Sequence, residues 1–173
     1  MADAHSTDLY YLGKGVLSFN RLVGGSPVGY VDLGNASAFS ITPAIEKLEH
    51  YSSREGIRKK DKTVITTAGL TAKFTLDEYD RDNLAMALLG EHAGGVINLL
   101  SSPTIEGALR FVGANDIGPN FQVDLWKVAI QPTAEVGFIT EAWGEITFEA
   151  EVESDIDNHP TQEYGIITEI NMS

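Results

Sequence analysis

The chain has no cysteine, so disulfide frameworks, thiolate catalysis and thiolate metal sites are all excluded. No run approaches the length of apolar sequence needed to span a bilayer. Met1 to Thr7 holds His and Asp where a basic-then-apolar leader is expected, so neither a signal peptide nor a membrane anchor is predicted. Positive charge is scarce late in the chain: no Lys or Arg follows Lys127. Histidine is sparse as well, and His5, His50, His92 and His159 are scattered without metal-ligand spacing, which predicts surface residues.

What is present fits one domain over residues 1–173, long enough for a core and too short for two ordinary domains. The formal net charge of −13 is unevenly spread. Glu135, Glu141, Glu145, Glu149, Glu151, Glu153, Asp155, Asp157, Glu163 and Glu169 all lie beyond the last base, while Lys47, Arg54, Arg58, Lys59, Lys60 and Lys62 crowd one early stretch. So acidic a chain is a poor candidate for gripping nucleic acid, because that affinity rests on neutralising phosphates.

The dominant hydrophobic period is two, the period of a strand with one wet face. It runs through Ala68, Leu70, Ala72, Phe74 and Leu76, through Phe39, Ile41 and Ile45, and through Ile146, Phe148, Ala150 and Val152. Further strands are predicted at 15–21, 29–33, 108–112, 121–130 and 164–170, from β-branched and aromatic residues bounded by Gly, Pro, Asn or Asp. One helix is predicted over 80–90, capped by Asp80 or Asp82, striped by Leu84, Ala85, Leu88 and Leu89, and closed by Gly90. Residues 52–62 show neither period and read as a long hairpin loop, whose length favours a role beyond connection. The expected fold is mainly β, a sandwich or barrel with one flanking helix.

Motifs of chemistry are weak. Asp155, Asp157, Asn158 and His159 form an oxygen-rich cluster without the remaining ligands of a calcium loop, and read as an acidic turn before Pro160. Gly13 and Gly15 precede a strand and not a helix, so they are no phosphate turn. No base-and-nucleophile constellation appears, so no enzyme and no cofactor is expected. Trp126 and Trp143 have apolar neighbours and read as core, which counts against a carbohydrate-binding surface.

Taken in order, four stretches resemble the tail tube proteins of long-tailed bacteriophages: "DLYYLGKGVLSF" (8–19), "YVDLGNASAFSI" (30–41), "EKLEHYSSREGIRKKDKTV" (46–64) and "AKFTLDEYDRDNLAMALLG" (72–90). The resemblance covers roughly the first ninety residues, and its specificity lies in their succession. It implies a β-sandwich subunit that forms hexameric rings, stacked into a hollow tube for genome delivery in the virion after assembly in the host cytoplasm. It implies tape-measure, terminator and baseplate or tip proteins as partners, and DNA that passes without specific binding. The loop between the early strands is the family's stacking element, which here corresponds to 52–62 with Arg54, Arg58, Lys59 and Lys60. A further expectation puts Glu145, Glu149, Glu151 and Glu153, a single stripe by periodicity, along the lumen or its rim. A related secretion-machine tube and a carbohydrate-binding fibre sandwich are the rival readings.

Overall fold

The computed structural model describes residues 5–132 and 135–170. It is mainly β, with one α-helix and antiparallel pairing throughout, in a sandwich-like arrangement. In chain order the elements are β1 (Gly15–Val23), β2 (Ser26–Pro27), β3 (Val31–Asp32), β4 (Ala36–Ser52), β5 (Lys59–Leu76), α1 (Arg81–Ala87), β6 (Glu91–Ala93), β7 (Val96–Asn98), β8 (Ile105–Gly113), β9 (Asn120–Ile130), β10 (Ile146–Val152) and β11 (Gly165–Ile170).

The main sheet runs β2-β1-β8-β9-β10-β5-β4, with β3 on β1 and β11 on β9. Strand β9 is the corner. Its first half pairs with β11 from Asn120 to Leu125, and its second half pairs with β10 from Val128 to Ile130. The sheet therefore folds over, and the layer β4-β5-β10 covers the layer β1-β8-β9-β11. Alternation supplies the core. In β10 the burial pattern is strictly two-fold, with Ile146, Phe148, Ala150 and Val152 buried and Thr147, Glu149 and Glu151 exposed, as expected from the sequence. Phe148 sits opposite Phe74 in register and the two rings stack at 5.0 Å. Phe39 of β4 meets Phe111 of β8 at 5.4 Å across the sandwich.

The helix is shorter than predicted, and its buried side is broader than the expected stripe. Asp80 is the cap, accepting from the backbone N–H of Asn83; of the expected stripe Ala85 and Leu89 are buried and Leu84 and Leu88 half-buried, and Asn83, Met86 and Ala87 are buried as well. Asn83 is 1% exposed; its amide donates to the carbonyls of Leu33 and Glu78 and so ties α1 to the strand entries. Gly90 does not supply the left-handed residue that closes the helix. Leu89 does, with φ of 50°, and the N–H groups of Leu89 and Gly90 return to Met86 and Ala85 in a Schellman arrangement. Gly90 is needed for closeness instead: a Cβ there meets the Asn98 carbonyl oxygen at 2.2 Å. The strand predicted at 29–33 is reduced to Val31–Asp32, paired with β1.

Candidate assembly interface

The predicted loop at 52–62 is shorter than expected: residues 53–58 form it, and Ser52 and 59–62 at its two ends are strand. Strands β4 and β5 stay paired from Ala36 opposite Leu76 out to Ser52 opposite Lys59, and only residues 53–58 form the connection. Lys59 and Lys60 thus belong to β5, while Arg54 and Arg58 are in the tip. The reason lies in irregularities that blurred the alternation: the register shifts between Glu46 and Lys47 and again between His50 and Tyr51, each time flipping which parity of β5 shares a face with β4.

Beyond about Thr42 on β4 and Ala68 on β5 the hairpin leaves the body. Every residue from Thr42 to Tyr51 and from Lys59 to Ala68 is exposed, so Ile45 and Ala68, expected to be half-buried, are on a free arm. Ten residues of strand at about 3.3 Å each make that arm roughly 30 Å long. Strand β10 accompanies β5 only from Leu70 to Leu76, so in the arm both outer edges lack a strand partner among the described residues. Apolar side chains are displayed on it as well, including Ile45, Leu48, Val64 and Ile65. A long, two-edged, partly apolar ribbon of this kind is what folded proteins ordinarily keep covered.

The arm has its own polar fastening. Lys60 Nζ donates to Glu49 Oε1 at 2.8 Å, and the Tyr51 hydroxyl donates to Glu49 Oε2 at 2.8 Å. The Lys60 hydrogen bond, followed by that of Tyr51, holds the Glu49 carboxyl below the ordinary carboxylate range and raises Lys60 in turn. His50 Nδ1 lies 2.6 Å from Asp61 Oδ1 on the opposite face. Of the four bases assigned to stacking, Lys60 is therefore internally paired, while Arg54, Arg58 and Lys59 have no ion pair among the described residues.

The carboxylate stripe is disposed as periodicity predicted for Glu149 and Glu151. Strands β10 and β5 pair Thr147 with Thr75, Glu149 with Lys73 and Glu151 with Thr71, and β4 adds Ser40 opposite Lys73 and Thr42 opposite Thr71. Residues directly opposite share a face. Hydroxyls, two carboxylates and one lysine therefore make up one continuous wet face of the β4-β5-β10 layer. Glu145 precedes β10 and is exposed; Glu153 follows it and is half-buried, bridged to Lys127 at 3.1 Å.

The two tryptophans are not core. Trp143 is 94% exposed, and Trp126 lies half-buried on the outside of β9, stacked on His159 at 4.0 Å with its Nε1 donating to the Gln162 carbonyl. A strand's apolar neighbours point both ways, so they do not fix which side a tryptophan takes. In the acidic turn, Asp155 accepts from Asn158 Nδ2 at 2.9 Å and faces His159 Nδ1 at 2.9 Å, so both its oxygens are engaged. These contacts lower the Asp155 pKa, Asn158 contributing most. Among the described residues no group of three or more His, Asp or Glu is placed to hold a metal ion.

Sequence reasoning missed a second exposed apolar region. Residues 135–145 hold Phe138 at 72% exposure and Ile139 at 99% beside Trp143. Tyr79 anchors this segment, its hydroxyl donating to the Gly137 carbonyl at 2.8 Å and its ring meeting Phe138 edge-on. Between them lies an open recess of about 270 Å³, lined by Asp77, Tyr79, Gly137, Phe138, Thr140 and Gly144. The segment lacks any period, so only its density of large apolar residues between Gly137 and Gly144 marked it in the sequence.

A family model described as "Protein of unknown function UCP028589" matches residues 10–95 and 91–166, and the chain belongs to that family. No curated protein matches the chain.

Proposed function

We propose that this protein, a member of a family whose description assigns no activity, is the structural subunit of a phage tail tube. Hexameric rings of it stack into a hollow conduit through which the genome is delivered, and the subunit performs no catalytic step. The observation that carries the reading is the arm, the outer part of β4 and β5: about 30 Å of paired strand with bare edges and exposed apolar side chains, which a solitary monomer has no use for. Assembly covers such a surface. The free edge of β4 and that of β11 likewise lack partners among the described residues, and ring closure between neighbours removes open edges of this kind.

The wet face of β4-β5-β10 suits the wall of the conduit. Its charges are Lys73, directly opposite Glu149, and Glu151, set among Ser40, Thr42, Thr71, Thr75 and Thr147. Such a wall gives phosphates no cluster of bases to neutralise, so DNA slides without adhering. In this reading tape-measure, terminator and tip proteins meet the tube in the virion.

Negative-stain microscopy of the purified chain tests the proposal, with rings or tubes expected. A protein that stays monomeric at high concentration and forms no ring overturns it. The carbohydrate-binding reading gains one observation, the exposure of Trp143 and Phe138; retention on immobilised glycans by a protein that forms no rings favours it instead.

A further inference from the structure

The arm and the apolar segment 135–145 lie at opposite ends of the same strands. Strand β10 begins at Ile146, opposite Leu76, the last residue of β5; the arm's tip joins β5 at its other end, at Lys59. The eighteen residues of β5 at about 3.3 Å each put roughly 60 Å between the two. Within one molecule they cannot meet.

They are opposite in charge, and one presents an apolar side chain where the other presents a recess. At the tip, Ile57 is 86% exposed and stands between Arg54 and Arg58, next to Gly56 in the left-handed conformation. At the far end is the recess formed by Asp77, Tyr79, Phe138, Thr140 and Gly144, with the exposed carboxylates Glu141 and Glu145 next in sequence to Thr140 and Gly144. Residues 45–62 hold six bases against four acids, whereas residues 135–145 hold three acids and no base.

We propose that the arm's tip in one copy docks into this recess in a second copy. Ile57 fills the recess, Arg54 and Arg58 face Glu141 and Glu145, and Trp143 and Ile139 are covered by the arm's apolar side chains. A contact between two different surfaces at opposite ends repeats head to tail without closing, which is the geometry of a growing stack. The inference rests on the tube reading and adds to it the surface that receives the arm.

Because the chain has no cysteine, paired substitutions test the contact cleanly. Ile57→Cys is combined in turn with Phe138→Cys, Thr140→Cys and Trp143→Cys, all at exposed positions. The unaltered chain and each variant are imaged, and the variants are then mildly oxidised and run on denaturing gels. Tubes together with a ladder of cross-linked multimers from at least one pair, absent from each single variant, are expected. Tubes with no ladder from any pair overturn the docking and leave the tube reading standing. An unaltered chain that forms neither rings nor tubes overturns both. As a second readout, Ile57→Asp is expected to keep the monomer's circular dichroism and to lose tubes; tubes of normal length from Ile57→Asp count against the docking.

Discussion

The two halves of the hairpin β4-β5 carry similar sequence and have different fates. Phe39, Ile41, Ala72 and Phe74 in the inner half, and Ile45, Leu48, Val64 and Ile65 in the outer half, are all of the types that favour strands. The inner half is flanked by β10 and covered by β8 and β9, and Phe74 is completely buried; the outer half has neither neighbour nor cover. Alternation thus reports that a segment is a strand, while burial depends on what the rest of the chain brings over it. In the outer half, no other element among the described residues supplies that cover.

The sharpest test of this contrast replaces one residue in each half. Phe74→Ala removes a ring stacked on Phe148 and packed in the core, and should cost about 3–5 kcal/mol. Ile45→Ala in the same strand pair should change monomer stability by no more than about 0.5 kcal/mol, as at ordinary surface sites. Urea denaturation of the two variants checks it. Equal losses would mean that the arm is packed in the monomer and would erase the comparison.

The junction between the halves and the helix offers the next largest effect. In the sequence Asn83 reads as the polar side of a helix, an amide between Asp82 and Leu84. It is buried because its amide turns inward to the carbonyls of Leu33 and Glu78, beside the buried Ala85, Met86 and Ala87. Asn83→Ala leaves the carbonyls of Leu33 and Glu78 without this donor and should cost about 1–3 kcal/mol. Leu88→Ala, which the stripe alone made the more damaging change, should cost less than the 2–5 kcal/mol of a full core truncation, since Leu88 is half-buried. Thermal melts of the two variants give the order directly.

What the sequence made legible follows from this. Strict alternation without interruption, as in Ile146 to Val152, fixed both the strand and its two faces. The register shift between His50 and Tyr51 leaves Asp61 out of the alternation, so the strand residues 59–62 read as part of the loop that 53–58 form. The crowding of bases from Lys47 to Lys62 falls on the exposed outer part of the hairpin and its tip. The receiving recess was invisible because Tyr79 and Phe138 are far apart in sequence and meet only through the pairing of Leu76 with Ile146.

In the arm itself charge can be altered with little effect on the monomer. Replacing Arg58, Lys59 and Lys60 together by Glu removes the Lys60–Glu49 hydrogen bond, an exposed pair that contributes little to folding. The monomer should therefore melt as before, while tube growth, followed by light scattering, should be lost. A triple variant that polymerises normally would separate the arm's charge from assembly.

The smallest effect is expected where the fold is held by an exposed polar turn. Asp155 accepts from Asn158 and faces His159, and these contacts keep its pKa below the ordinary carboxylate value. A depressed folded pKa means that the stabilisation is fully present above the unfolded carboxylate pKa and is lost as pH falls through the lower, folded value. The turn should accordingly keep its structure at pH 7 and loosen only in acid, well below the range in which histidine titrates. Trp126 reports on it, since its ring stacks on His159. With Trp143→Phe leaving Trp126 as the single tryptophan, its fluorescence should change on acidification below the usual carboxylate pKa. Asp155→Asn should remove that step. A transition that persists in Asp155→Asn, or one centred near neutral pH, would assign the titration to another group and leave the turn's hold on β9 unexplained by Asp155.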